Sequence, residues 1–148
     1  MVLGVERSSG RPRCPAAGGT LTLLLDTHFL VWLVLGNKRV AEFPWIDEYR
    51  FWGVSPVSFL EIQFLAEVGR LSVRNPEFMN TVMADSRFTV DDIPLANLVR
   101  HSLKLDWTRD PFDRLLVAHS MARRVPFCTV DRDIRDHHRL LPPELDEE

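Results

Sequence analysis

Residues 23–36, LLLDTHFLVWLVLG, set three leucines directly against an aspartate and then run apolar to a glycine. The segment Leu21 to Leu25 follows the Gly18-Gly19 turn signal and stops at Asp26, the pattern of a fully buried parallel strand. A short helix is predicted to follow through Trp32, so the stretch reads as a strand handing over to a helix at a carboxylate. Asp26 has an ordinary explanation at that place, because an Asp N-cap accepts an orphan amide hydrogen.

The same hand-over recurs along the chain. FWGVS (51–55) reads as a second strand, followed by an amphipathic helix over SFLEIQFLAEVGRL (58–71), with Gly69 near its end. RFTV (87–90) is the candidate third strand, before a helix around Pro94 to Leu103. Between these, residues 45 to 49 look helical after Pro44, and Asn75-Pro76 starts another helix. DPFDRLLVAHSMARR carries apolar residues at 112, 115, 116, 117, 121 and 122 in helical spacing, then comes the strand VPFCTV (125–130) and the polar DRDIRDHHR. Strands alternating with helices predict an α/β fold with a mostly parallel central sheet of about four or five strands flanked by helices.

A chain of 148 residues, 45% hydrophobic and 26% charged, supports one domain with a sizeable core. We place that domain at residues 20–139, between an arm at 1–19 and an acidic tail at 140–148. The arm, MVLGVERSSGRPRCPAAGG, is too rich in Gly, Pro, Ser and Arg to bury the apolar surface that would offset its ordering entropy, and is expected to be disordered. It lacks the apolar core of a signal peptide, and no run approaches the ~20 apolar residues of a membrane span. Cys14 and Cys128 are far apart with no zinc-type spacing, which suits a reducing cytoplasm. Residues 100–139 carry nine basic and six acidic side chains, the one regional hint of a polyanionic partner.

Three further acids stand where a strand passes to a helix. Glu61 lies one helical turn beyond FWGVS, Asp113 in the first turn of the helix opened by Asp110-Pro111, and Asp131 directly after PFCTV. In an open parallel sheet all strand carboxyl ends share one edge, where ligands bind, so Asp26, Glu61, Asp113 and Asp131 are expected to converge. Each also has a capping explanation. Ser58-x-x-Glu61 matches a capping box, Asp110-Pro111-Phe112-Asp113 gives a cap, an N1 proline and a dipole-favoured acid, and Asp131 suits the N-cap of DRDIRD. Capping does not account for four acids on one edge with few opposing Lys or Arg. Two like charges ~4 Å apart repel by about 4 kcal/mol at an effective dielectric of 20, so such a cluster needs protons or a cation. Hard oxygen ligands without His or Cys point to Mg²⁺ or Mn²⁺, and one or two such ions activate water for phosphoryl displacement.

LLLDTHFLVW, VSPVSFLEI and RDPFDRLLVAHSMARRVPFCTVDRDI together resemble the successive motifs of the PIN-domain family, and DTH-x-x-x-W with DPFDRLL resembles its VapC-type toxin subgroup. The likeness covers about residues 21 to 135. It implies a PIN-like three-layer fold and an Mg²⁺- or Mn²⁺-dependent endoribonuclease, the toxin of a type II toxin-antitoxin pair. It further implies an RNA substrate, a homodimer and inhibition by a small antitoxin. The family's acidic quartet falls on Asp26, Glu61, Asp113 and Asp131, with Asp110 and Asp133 as neighbours; Asp113 has L-L-V-A after it as the motif requires, while Asp110 is better placed to cap. Members usually close with a fifth strand, whereas this chain runs into RLLPPELDEE.

Other residues have bland readings. His28 is expected to hydrogen-bond locally, His137-His138 to be solvated, and Trp32, Trp45 and Phe64 to serve as core. No G-x-G-x-x-G or Walker loop is present, which disfavours nucleotide cofactors. A haloacid-type phosphatase would want an aspartate where His28 stands, and a receiver would want paired acids before the first helix and a later lysine. A non-catalytic PIN-like module that binds RNA or a partner is the remaining alternative, and the complete acid set argues against it.

Overall fold

The computed structural model describes residues 21–147. The disordered arm expected at 1–19 lies outside the described residues. Four strands form one sheet in the order β3-β2-β1-β4: β1 is Leu24–Leu25, β2 Trp52–Val54, β3 Phe88–Val90 and β4 Phe127–Cys128. Every pairing is parallel, with Leu24 opposite both Gly53 and Phe127. No fifth strand is present among the described residues.

The helices are α1 Thr27–Leu35, α2 Pro56–Glu67, α3 Glu77–Ala84, α4 Leu95–Ser102, α5 Pro111–Arg123 and α6 Arg132–His137, with 3-10 turns at Lys38–Glu42, Pro44–Tyr49 and Pro143–Glu147. Among the described residues none is long and apolar enough to cross a membrane. The alternation of side chains along β1 sorts the core into two layers. Leu23 and Leu25 face α1, α3 and Phe59 and Ile62 of α2, whereas Leu24 and Phe127 face Leu116 and Val117 of α5 and Ile134 of α6. Five consecutive residues of α1, Phe29 to Leu33, are buried, as a helix apolar on all sides requires. It ends at Gly36, whose φ of 68° is the left-handed conformation glycine adopts without penalty.

Two local details set the sheet. Gly53 stands so close to β1 that a Cβ there would lie 2.6 Å from Leu23 O; only the missing side chain lets the strands pair. The helix expected at 58–71 begins instead at Pro56, because Ser55 is the N-cap and accepts from Val57 N. Ser58 is therefore inside the helix and buried, and the Ser58-x-x-Glu61 capping box is not formed.

The acidic tail is docked. Phe127 N–H donates to Leu140 O at 2.8 Å along the outer edge of β4, Leu145 is fully buried, and Glu144 accepts from Tyr49 Oη at 2.8 Å. A single backbone bond to β4, followed by Pro142-Pro143, replaces the fifth strand: prolines cannot supply ladder donors.

Candidate active site

In a sheet ordered 3-2-1-4, the chain moves one way from β1 to β3 and the other way to β4. The crevice for ligands opens where that direction reverses, outside the carboxyl ends of β1 and β4. Asp26 and Asp131 stand there, after β1 and just beyond β4.

Asp26 is the N-cap of α1, as the capping explanation holds: Oδ1 accepts from Thr27 N at 2.7 Å. It is also only 8% exposed, and Oδ2 accepts from Thr129 Oγ1 at 2.6 Å. Burial pushes its carboxyl above the ordinary range, against the opposing pull of those bonds and the nearby His28. Glu61 is no cap. Projecting from the second turn of α2, it accepts from Thr27 Oγ1 at 2.6 Å, while that hydroxyl lies 3.0 Å from Ser58 Oγ. Its carboxyl is pushed up to about 7, first by burial and then by the charges of Asp26, Asp110 and Asp131.

The two acids at the start of α5 divide their work. Asp110 is the N-cap and accepts from Phe112 N and Asp113 N. Asp113 caps nothing, and its pKa rises to about 7 through burial and the charges of Asp110, Asp26, Asp131 and Glu61. Asp131 is exposed and caps α6, accepting from Ile134 N at 3.0 Å; its own N–H donates to Thr129 Oγ1 at 3.0 Å.

All four expected acids therefore stand at one edge, close enough that the charges of Asp26, Asp110 and Asp131 raise the proton affinity of Glu61 and Asp113. Asp133 is exposed in the first turn of α6 and does not contribute to these shifts. None of the five carboxylates has an ion-pair partner within 4.0 Å among the described residues. Nor, among those residues, do three or more Asp, Glu, His or Cys side chains close on a single point tightly enough to enclose an ion.

Sequence reading missed the hydroxyls. Thr27, Ser58 and Thr129 are all fully buried, and Thr27 and Thr129 hold Glu61 and Asp26 respectively. It also missed a network at the end of β3: Asp91 accepts from His119 Nε2 at 2.7 Å and from Arg123 Nε and Nη2 at 2.7 and 3.0 Å. Burial opposes ionisation of Asp91, yet these two partners hold its pKa below the ordinary carboxylate value.

The remaining candidates settle individually. His28 is exposed and packs near Trp32. Trp32 is core, with the Arg39 guanidinium 4.4 Å above its ring. Trp45 packs edge-on between Phe43 and Tyr49. Phe64, expected in the core, is 46% exposed and leans on Phe112. His137 is exposed and stacks on Trp107. His138, expected to be solvated, is buried instead. Its Nε2 lies 2.8 Å from Ser120 Oγ, and burial lowers its pKa.

The structure is similar to the toxin-antitoxin complex from Klebsiella pneumoniae (TM-score 0.55, 19% identity, covering 76% of this chain and 90% of the other). It is likewise similar to VapBC2 from Rickettsia felis bound to a DNA fragment from its promoter (TM-score 0.59, 14% identity, 82% and 97%). A third likeness is to DNA-bound VapBC from Salmonella typhimurium (TM-score 0.53, 19% identity, 82% and 93%). At these identities the likeness is one of fold. No curated protein matches the sequence. The family model of the PIN domain matches residues 23–140, which span both layers of the core and all four acids, and the chain belongs to the PIN domain family.

Proposed function

We propose that this protein is a divalent-metal-dependent endoribonuclease of the VapC type, acting in the cytoplasm as the toxin of a type II toxin-antitoxin pair. The observation that carries this reading is the meeting of Asp26, Glu61, Asp113 and Asp131 at the β1/β4 crevice, with no ion-pair partner for any of them among the described residues. Such an arrangement is costly in an empty protein and becomes favourable around an Mg²⁺ or Mn²⁺ ion.

The donor set fits that ion. All four ligands are hard oxygens, and Asp26, accepting one bond at each oxygen, keeps acceptor capacity on both. Bound there, a divalent ion supplies an activated water and neutralises charge on the phosphate oxygens. The chain's own part is positioning and proton management. Thr129 fixes the Asp26 carboxylate and Thr27 fixes Glu61. Without an ion Glu61 and Asp113 hold protons near neutral pH, and a divalent ion would take the place of those protons.

The partners follow from the same reading. The similar solved structures include a toxin-antitoxin complex and two DNA-bound VapBC structures, and this chain leaves Leu60, Phe64 and Val68 exposed along α2 and Leu95, Val99 and Leu103 along α4. These two stripes suit an antitoxin segment and a second copy of the chain. Incubating the purified protein with single-stranded RNA, with Mg²⁺ or Mn²⁺ and with EDTA, tests the proposal. Metal-dependent cleavage, lost in Asp113→Asn, is expected; RNA left intact at millimolar Mn²⁺ would overturn it.

A further inference from the structure

A pocket of carboxylates repels a nucleic-acid backbone. A bound ion answers for the phosphate being cut, but the phosphates on either side need cations of their own. Of the nine basic residues in 100–139, four are already engaged: Arg100 with Asn97, Arg114 with Thr108 O, Arg123 with Asp91 and Arg135 with Leu145 O. Arg109 and Arg132 are different. Both are exposed, and neither side chain makes a hydrogen bond, ion pair or ring contact with any described residue.

Their positions are specific. Arg109 immediately precedes Asp110, the N-cap of α5, and Arg132 immediately follows Asp131, the N-cap of α6. The segments that carry them are tied together, because the Trp107 ring lies flat on His137 of α6 at 4.8 Å and 4°, and Trp107 packs on the core layer that contains Ile134. The two arginines therefore each adjoin in sequence an aspartate whose charge reaches Glu61 and Asp113, on segments that touch through Trp107 and His137. Arg124 and Arg139, also exposed, lie beyond the opposite ends of α5 and α6, in the first case ~20 Å of helix away.

We infer that Arg109 and Arg132 are phosphate-binding residues that seat the RNA strand on either side of the bond to be cut. This rests on the nuclease reading above. An exposed guanidinium fork is suited to phosphate oxygens, and two of them beside the cluster offset the repulsion that five carboxylates would impose on the flanking strand.

The experiment separates the two claims. Cleavage of a labelled single-stranded RNA by the wild-type protein in Mg²⁺ tests the nuclease reading. Binding of the same RNA to Asp113→Asn, followed by fluorescence anisotropy across a range of salt, tests the arginines, with Arg109→Ala, Arg132→Ala, the matching Lys variants and Arg70→Ala added in that background. Each Ala variant at 109 or 132 is expected to bind several-fold more weakly and to lower the slope of log K against log salt by about 0.7, the share of one phosphate contact on a single strand. Lys is expected to restore the slope, and Arg70→Ala, beyond the far end of α2, to leave it unchanged. Thermal melts confirm folding. Slopes that match the parent in both Ala variants, or that fall equally in Arg70→Ala, would overturn the inference while RNA cleavage still supported the nuclease. RNA neither cut nor bound would overturn both.

Discussion

The hydroxyl of Thr129 donates to Oδ2 of Asp26 at 2.6 Å and bridges a separation of 103 residues, while the N–H of Asp131 donates to that same hydroxyl at 3.0 Å. One buried oxygen thereby couples the first and last acids of the site. Thr129→Val keeps the shape and removes the donor, leaving a buried carboxylate oxygen unsatisfied. The expected loss at pH 8 is about 1–3 kcal/mol in urea melts, with a fall in cleavage rate, and Thr129→Ser restores both. A Val variant as stable and active as wild type would show that the bond positions nothing.

Asp26 and Asp110 both cap helices, and Asn caps about as well as Asp, so Asn substitution separates the role of charge from that of the cap. Asp26→Asn is expected to fold normally, to abolish cleavage and, in EDTA, to melt no lower than wild type, since it relieves repulsion. Asp110→Asn is expected to retain substantial activity. Because Asp110 is the foremost of the charges that raise Asp113, its neutralisation lowers the pKa of Asp113 and moves any acid limb governed by that group to lower pH. An Asp26→Asn protein that cuts near the wild-type rate would remove Asp26 from the machinery.

Glu61 and Asp113 titrate at about 7 in the fold, against 4.5 and 3.8 for unperturbed groups. The unfolded chain therefore releases these protons first, and folding becomes less favourable as pH rises from the ordinary carboxylate range to about 7. In EDTA the melting temperature is expected to rise as pH falls from about 8 to 6. His138 subtracts from that gain below about 6.5, because burial lowers its pKa and unfolding lets it charge. Added Mg²⁺ stabilises the protein at pH 8 by binding the folded state and flattens the gain on acidification. A melting temperature indifferent to both pH and Mg²⁺ would contradict the electrostatic account.

The Asp91, His119 and Arg123 network joins the end of β3 to α5. Asp91→Ala is expected to destabilise by roughly 1–3 kcal/mol, since it leaves the fully buried His119 without its partner. A double-mutant cycle with His119→Ala should recover part of that loss. Cleavage per folded molecule should be unchanged; a large drop in kcat at full folding would place the network in the reaction.

What the sequence determined is local. The apolar runs before Asp26 and Ser55 and around Phe127 announced β1, β2 and β4, since burial on both faces leaves no polar alternation to hide them, and the short RFTV run announced the partly buried β3. Asp110-Pro111 fixed the start of α5, because a cap and an N1 proline act within a few residues. The four acids were singled out by their positions where strands hand over to helices. Tertiary structure decided the rest. Whether Glu61 caps its helix depended on Ser55 and Pro56 taking the cap, and on Thr27 approaching from another element at a separation of 34 residues. The hydroxyls of Thr27 and Thr129, the buried His119 pair and the burial of His138 involve single residues with no period or spacing to mark them. They acquire partners only when remote strands and helices pack, and burial, which exists only in the folded chain, converts ordinary carboxylates into a site that holds protons near neutral pH.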